Sequence, residues 1–265
     1  MTQQDLSVDA DPAGRRPRQS LLRSVASLLP RRLRPRLAIV DLVRRRTGMV
    51  VPTGPFAGMR LEPSWPDLPE ILGIYEQELW RVVRSLPGFP LARIVNVGAA
   101  RGYYAVGLAR LLPRARVIAF ETEDTTRAVL CRTAALNQVE ARIEARGTCT
   151  PRELAAALAE PGLSLVLCDV EGYERALLDP AAVPGLRQSL VLVELHEHLA
   201  PGITAEIRRR FGDSHEVLEI WQTDRTAEDF PYSDWYLRLL PKRYRQWAVD
   251  EGRGVRMNWF WMVPR

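Results

Sequence analysis

Val95-Asn96-Val97-Gly98-Ala99-Ala100-Arg101-Gly102-Tyr103-Tyr104 is the stretch on which the fold turns. An apolar run ends at one glycine, a second follows four residues later, and a helical apolar pattern starts at once. Glycine accepts positive φ and lets the backbone come close to a ligand, so the stretch reads as strand, tight turn and helix N-terminus. Two glycines at that spacing are a weak signal alone; the surrounding rhythm gives them weight. Short apolar runs at 93–97, 116–120, 141–145, 164–169, 190–195, 216–221 and 258–263 read as strands. Helical patterns lie between them at 103–112, 125–137, 151–158, 173–186 with a break near Pro180, and 205–211; a further helix is expected over 74–86. Such alternation predicts a doubly wound α/β domain around a buried, mostly parallel sheet of seven strands.

Composition agrees with a globular chain: of 265 residues, 46% are hydrophobic and 26% charged, which excludes disorder, collagen and coiled coil as overall descriptions. No apolar run approaches the roughly 18–20 residues of a membrane span, and the run 37–43 is broken by Asp41. Arg15-Arg16 is not followed by an uninterrupted apolar stretch, so no export signal is read there. Cys131, Cys149 and Cys168 lie far apart, without a Cys-x-x-Cys pair, so neither a disulfide framework nor a thiolate zinc site is written, and a cytoplasmic location is expected. Residues 1–50 hold eleven arginines against four aspartates, a net +7, which leaves −2 for the rest of a chain whose total is +5. The body therefore lacks the positive face that nucleic acid would need. Leu21, Leu22, Val25, Leu28 and Leu29 form one stripe of a short helix ended by Pro30 and surrounded by arginines. Two readings stay open for it: packing on its own domain, or peripheral contact with an anionic membrane surface or a partner. The organisation expected is a basic arm over 1–50, a leading segment with a helix over 51–90, and the ligand-binding domain over 91–265.

In an open parallel sheet the ligand lies beyond the carboxyl ends of the strands, where strand order reverses. Glu121 ends the second strand, nineteen residues after Gly102, where an acid can accept both hydroxyls of an adenosine ribose; the plainer reading is a first-turn acid of the next helix. The fourth and fifth strands end in Cys168-Asp169-Val170-Glu171-Gly172-Tyr173-Glu174 and Val193-Glu194-Leu195-His196-Glu197-His198. Glu194 and His196, two apart, should share a face, with Asp169 at the same edge. Carboxylates at the ends of buried strands work against desolvation, which points to function, although Asp169 could also cap a helix. His198 is expected in the following loop, and His215 at the opposite edge of the sheet.

These motifs, together with Phe120-Glu121 and Asn137, resemble in order those of FkbM-type S-adenosylmethionine-dependent methyltransferases over roughly residues 70 to 220. Asp169-Val-Glu-Gly-Tyr-Glu is the most specific part. The resemblance implies the Rossmann-like class I methyltransferase fold with an antiparallel last strand, S-adenosylmethionine as cofactor, and a hydroxyl acceptor on a sugar, polysaccharide or natural-product scaffold. It implies that the turn residues Asn96, Gly98, Ala99, Gly102 and Tyr103 meet the cofactor, with Gly98 and Gly102 bordering its methionine part, that Glu121 holds the ribose, and that Asp169 and Glu171 line the transfer pocket. The family usually has an acid where this chain has Asn96. An amide keeps an acceptor but loses the charge, so the grip on the cofactor's ammonium group should be weaker or redistributed.

The expected reaction is O-methylation, with His196 as general base because its reference pKa of about 6.5 suits neutral pH, and with Asp169 as orienter or alternative base; Glu171 and Glu194 complete the catalytic candidates. A divalent Mg²⁺ or Mn²⁺ held by Asp169, Glu194 and His196 is a second, less favoured reading. A nicotinamide-dependent reductase is disfavoured because the one lysine, Lys242, has no tyrosine four residues before it. A base-modifying enzyme is disfavoured because Asp169-Val-Glu-Gly stands where Asp/Asn-Pro-Pro-Tyr would be expected. A non-catalytic cofactor-binding scaffold remains as a third reading. Ten of the twenty aromatic residues follow position 220 and should form core more often than an acceptor wall.

Overall fold

The computed structural model describes residues 35–232 and 239–265. The amphipathic stripe at 19–29, and with it most of the basic arm, lies outside the described residues. The chain groups into two units, Met1–Leu42 and Val43–Arg265, and the sheet belongs to the second. The first described helix, α1 (Pro35–Thr47), contains the run 37–43. No helix among the described residues is long and apolar enough to cross a membrane.

One seven-stranded sheet is present among the described residues: β1 (Leu91–Val97), β2 (Arg116–Phe120), β3 (Ile143–Arg146), β4 (Leu163–Cys168), β5 (Leu190–Leu195), β6 (His215–Trp221) and β7 (Asn258–Pro264). Their order is β3-β2-β1-β4-β5-β7-β6. The first five pair in parallel, and β7 runs antiparallel to both β5 and β6. From β1 the chain winds outward to β3, then crosses back to lay β4 on the other side of β1. Strand order therefore reverses between the carboxyl ends of β1 and β4, where a crevice is geometrically required. This is the class I methyltransferase fold that the resemblance implies, antiparallel seventh strand included.

The central strands are apolar on both faces because both faces are covered. Val95, Val97, Val166, Cys168, Val191, Val193, Phe260 and Met262 share one core with Leu154, Leu177, Ile203, Ile207 and Phe211. These last five belong to helices α6 (Pro151–Ala157), α7 (Glu174–Leu177) and α8 (Ile203–Phe211). The alternate residues Ile94, Asn96, Leu165, Leu167, Leu192, Glu194 and Trp259 are buried on the other face. Two of these seven are polar, and both border the crevice.

The helices before and after the sheet depart from the sequence reading. Instead of one helix over 74–86, α2 (Leu68–Leu72) stops at Gly73 in the left-handed region, and Glu76, at φ 47, interrupts the path before α3 (Trp80–Ser85). The helix expected over 173–186 is only the single turn α7; Pro180 and Pro184 follow, and Asp179 accepts from the Ala181 N–H to close a turn instead. By contrast α4 (Tyr103–Leu111) and α5 (Asp124–Leu136) fall within a residue of expectation. An unforeseen helix, α9 (Lys242–Val249), packs on α2 with only Ala248 and Val249 fully buried. The late aromatic residues Phe230, Trp259, Phe260 and Trp261 are core, whereas Trp221 is 48% exposed; Trp235 and Tyr236 lie outside the described residues.

Candidate active site

The turn after β1 is built so that β4 can press against it. Gly98 has φ 79, and a Cβ added there would lie 1.7 Å from the Asp169 carbonyl oxygen, so no other residue fits. Its N–H and that of Ala99 both donate to the Phe120 carbonyl, which ties the turn to the end of β2. Gly102, at φ 93, starts α4 against Leu130 but lines neither of the two cavities bordered by Gly98; its place is in the turn rather than on a ligand wall.

Beside this turn lies a cavity of about 430 Å³ lined by Gly98, Phe120, Glu121, Cys149, Asp169 and Val170, among others. Glu121 is not a first-turn acid, since α5 begins at Asp124. Its carboxylate accepts from the Ala100 N–H and from the Glu123 N–H, each at 2.9 Å, one bond per oxygen. A carboxylate oxygen can accept again, so both remain able to meet a pair of hydroxyls. Val97, Phe120, Cys149, Val170 and Leu177 give the same cavity an apolar lining that fits a flat heterocycle.

On the far side of Asp169 the ends of β4 and β5 meet. His196 is 3% exposed; its Nδ1 lies 2.7 Å from a Glu174 oxygen that also accepts from the Gly172 N–H. Glu174, and not Asp169 as the sequence reading has it, is therefore the residue that closes the 169–174 loop and sets the imidazole. With Nδ1–H donating to it, Nε2 is left facing Asp169 at 3.5 Å and Glu171 at 3.4 Å. Glu171 stands at φ 50 and is largely exposed. Burial pulls the imidazole toward its neutral form, but Glu174, then Asp169 and Glu171, outweigh it and hold the pKa above the usual value. Asp169 is not a helix cap, since Tyr173 occupies that position. Burial raises its carboxyl pKa against the pull of His196 and Arg253.

Glu194 does not join His196 as a metal ligand, contrary to the sequence reading. It hydrogen-bonds Arg253, which also binds Glu76, Glu251 and the Tyr75 hydroxyl. Arg225 binds Glu251 and Glu78 alongside, so two guanidiniums face four carboxyls and the group carries surplus acid: burial, then Asp169 and Glu76, push Glu194 up to about 10. Arg253 itself stays charged, its neighbouring acids outweighing the effect of burial. In place of Glu194, the donors that gather within 4.8 Å of one another are Asp169, Glu171 and His196. A third cavity of about 320 Å³, lined by Tyr75, Asp169, Glu171, His196, His198 and Arg253 among others, opens beside them. His198 thus borders the site after all, its ring 5.9 Å from that of His196, while His215 lies at the far edge, its Nε2–H donating to the Ser189 carbonyl.

No family model matches the chain, and no curated protein matches it in sequence. Solved structures do. The MTase domain of METTL16 shares 14% identity, with 86% of this chain and 79% of that chain covered and a TM-score of 0.47. The O-methyltransferase TomG from Streptomyces achromogenes, involved in tomaymycin synthesis and solved with SAM, shares 16% identity over 77% and 90% of the two chains, with a TM-score of 0.42. TYW2 from P. horikoshii, solved with MeSAdo, shares 16% identity and a TM-score of 0.40; 66% of this chain is covered but only 57% of that one. Likenesses this distant leave the functional reading to the residues of the site.

Proposed function

We propose that the chain is an S-adenosylmethionine-dependent methyltransferase acting on a hydroxyl group of a sugar, polysaccharide or natural-product scaffold. The observation that carries the reading is the Glu121 carboxylate, anchored by two backbone amides on the wall of a cavity at the switch point, next to a glycine that contacts the opposite strand end. These residues fit an adenosine: an aimed acceptor for the ribose, an apolar wall for the base, and a turn that admits close approach. When bound, the cofactor supplies a methyl group on sulfonium, already reactive toward an oxygen nucleophile.

The remaining tasks fall to the chain: to align the acceptor, keep water out and take the hydroxyl proton. Asp169 borders all three cavities, so an acceptor in the one lined by His196 and His198 meets the nucleoside side at that residue. His196 takes the proton at Nε2, Glu174 holds the tautomer that exposes this atom, and the neighbouring carboxylates stabilise the resulting imidazolium. Such base catalysis typically contributes about 10²- to 10⁴-fold. The gathering of Asp169, Glu171 and His196 favours a second reading, in which the three hold Mg²⁺ or Mn²⁺ and the acceptor hydroxyl is acidified instead.

Calorimetry with S-adenosylhomocysteine tests the proposal. The parent should bind it and not NAD, and Glu121→Ala should lose about 1.5–3 kcal/mol of that binding, the worth of hydrogen bonds to a charged group. Equal affinity in parent and variant would remove Glu121 from the site.

A further inference from the structure

Asn96 is 1% exposed, and neither the oxygen nor the nitrogen of its side-chain amide has a hydrogen-bond partner among the described residues. Buried polar groups are rarely left so, because each unpaired one costs on the order of 1–3 kcal/mol. The side chain lies on the wall of a cavity of about 60 Å³, closed by Gly98, Ala99 and Tyr103 of the turn and by Glu70 and Glu76 from the segment ahead of the sheet. Four carboxyls, those of Glu70, Glu76, Asp169 and Glu194, line this small space, and among the described residues no basic side chain does. Arg253 binds Glu76 and Glu194 without itself lining it.

We infer that this cavity takes the α-amino-acid end of the cofactor, with Glu70 and Glu76 supplying the negative charge for its ammonium group and the Asn96 amide meeting both halves of the zwitterion. The inference rests on the methyltransferase reading above. An amide has one accepting and one donating end, and an amino-acid head group has an ammonium to give and a carboxylate to receive; an aspartate in the same place could serve only the first. The charge that an acid at position 96 would have supplied is present, but on a different element.

Position and size agree. Gly98 and Asp169 line both this cavity and the nucleoside cavity, so one ligand can run from one to the other past them. At roughly 10–15 Å³ for each water-sized occupant, about 60 Å³ holds four to six such occupants, and the ammonium, α-carbon and carboxylate amount to five heavy atoms. The acids show the matching deficit of positive charge. Burial, then Asp67, push the Glu70 carboxyl up to about 8, although the Trp65 indole N–H donates to it. Burial likewise pushes Glu76 up to about 7 against the pull of Arg253 and the Tyr104 hydroxyl. A cation placed among them would restore both to their ionised forms.

Calorimetry on the full chain with two probes decides the matter: S-adenosylhomocysteine, and 5′-methylthioadenosine, which keeps the nucleoside and sulfur but lacks the amino-acid end. The parent should prefer the former by at least about tenfold, and Glu70→Gln and Asn96→Leu should each remove about tenfold of its affinity while changing the latter less than about twofold. Glu70→Gln keeps an acceptor for Trp65, so it serves if Asn96→Leu fails to fold. Equal binding of the two probes by the parent, or variants that weaken both alike or neither, would overturn the inference while leaving the nucleoside site standing. A parent that binds neither probe would overturn the methyltransferase reading itself.

Discussion

At the scale of single residues, the pairing of His196 with Glu174 sets when the proposed base can work. A base must be neutral to accept a proton, and Glu174, Asp169 and Glu171 together hold the imidazole pKa above its usual value against the effect of burial. The rate should therefore rise with pH through a midpoint above the ordinary histidine range of about 6.5. Glu174→Gln keeps an oxygen for Nδ1–H but removes the largest of the raising charges, so the midpoint should move to lower pH. A chelator separates the two readings of the same residues: it should leave the profile untouched if His196 is a base and abolish turnover if Asp169, Glu171 and His196 hold a metal. A midpoint that does not move in Glu174→Gln would take His196 out of the proton path. His196, Asp169 and Glu171 were legible in the sequence because they follow strand ends. Glu76 and Arg253 were not, because their partners lie up to 178 residues away and no local pattern marks them.

Elements meet here through contacts that reward small residues. Gly107 lies within α4, where an exposed helix interior would favour alanine by roughly 1 kcal/mol. A Cβ there would stand 2.5 Å from the Phe56 ring at its root, and that ring is fixed edge-on against both Tyr103 and Tyr104. Gly107→Ala should therefore destabilise the chain by about 1–3 kcal/mol, the usual penalty of overpacking, seen as a lower urea midpoint. Neutrality or a gain would mean that the 51–58 segment can move off α4. Strands were readable to within two residues because apolar runs are bounded by Gly, Pro and polar residues, most clearly where both faces are buried as in β1; the edge strand β3, only partly buried, starts two residues later than its run predicts. The 74–86 helix was not, because Glu76 is held in the left-handed region by partners from elsewhere: its N–H donates to Glu251, and its carboxylate meets Tyr104 and Arg253. Tertiary ion pairs there override a helical pattern that is otherwise sound.

For the molecule as a whole, the buried acids dictate an unusual dependence of stability on pH. Glu76, Glu70 and Glu194 stand at about 7, 8 and 10 in the fold, against about 4.3 for a glutamate in an unfolded chain. Between those limits the native state holds protons that the unfolded state has released, so stability falls as pH rises. His196 acts in the same direction: its raised pKa contributes stability that is complete below the unfolded value and is lost as pH climbs through the folded one. His215, lowered by burial, opposes this by gaining stability as it becomes neutral. The lowered acids Glu174, Glu62, Glu144 and Glu197 lose their contribution only on the acid side of the usual carboxylate range. Asp169 and Glu251 are raised by burial as well, so the raised acids and His196 outnumber His215 above pH about 5, and the Tm should peak near pH 5–6 and decline steadily toward pH 9 at constant ionic strength. Glu194→Gln, neutral at every pH, should keep the peak and flatten part of the decline. If the parent's Tm instead holds level to pH 9, Arg253 keeps Glu194 and Glu76 ionised throughout, and the surplus of acid around the cavities is balanced by positive charge within the protein itself.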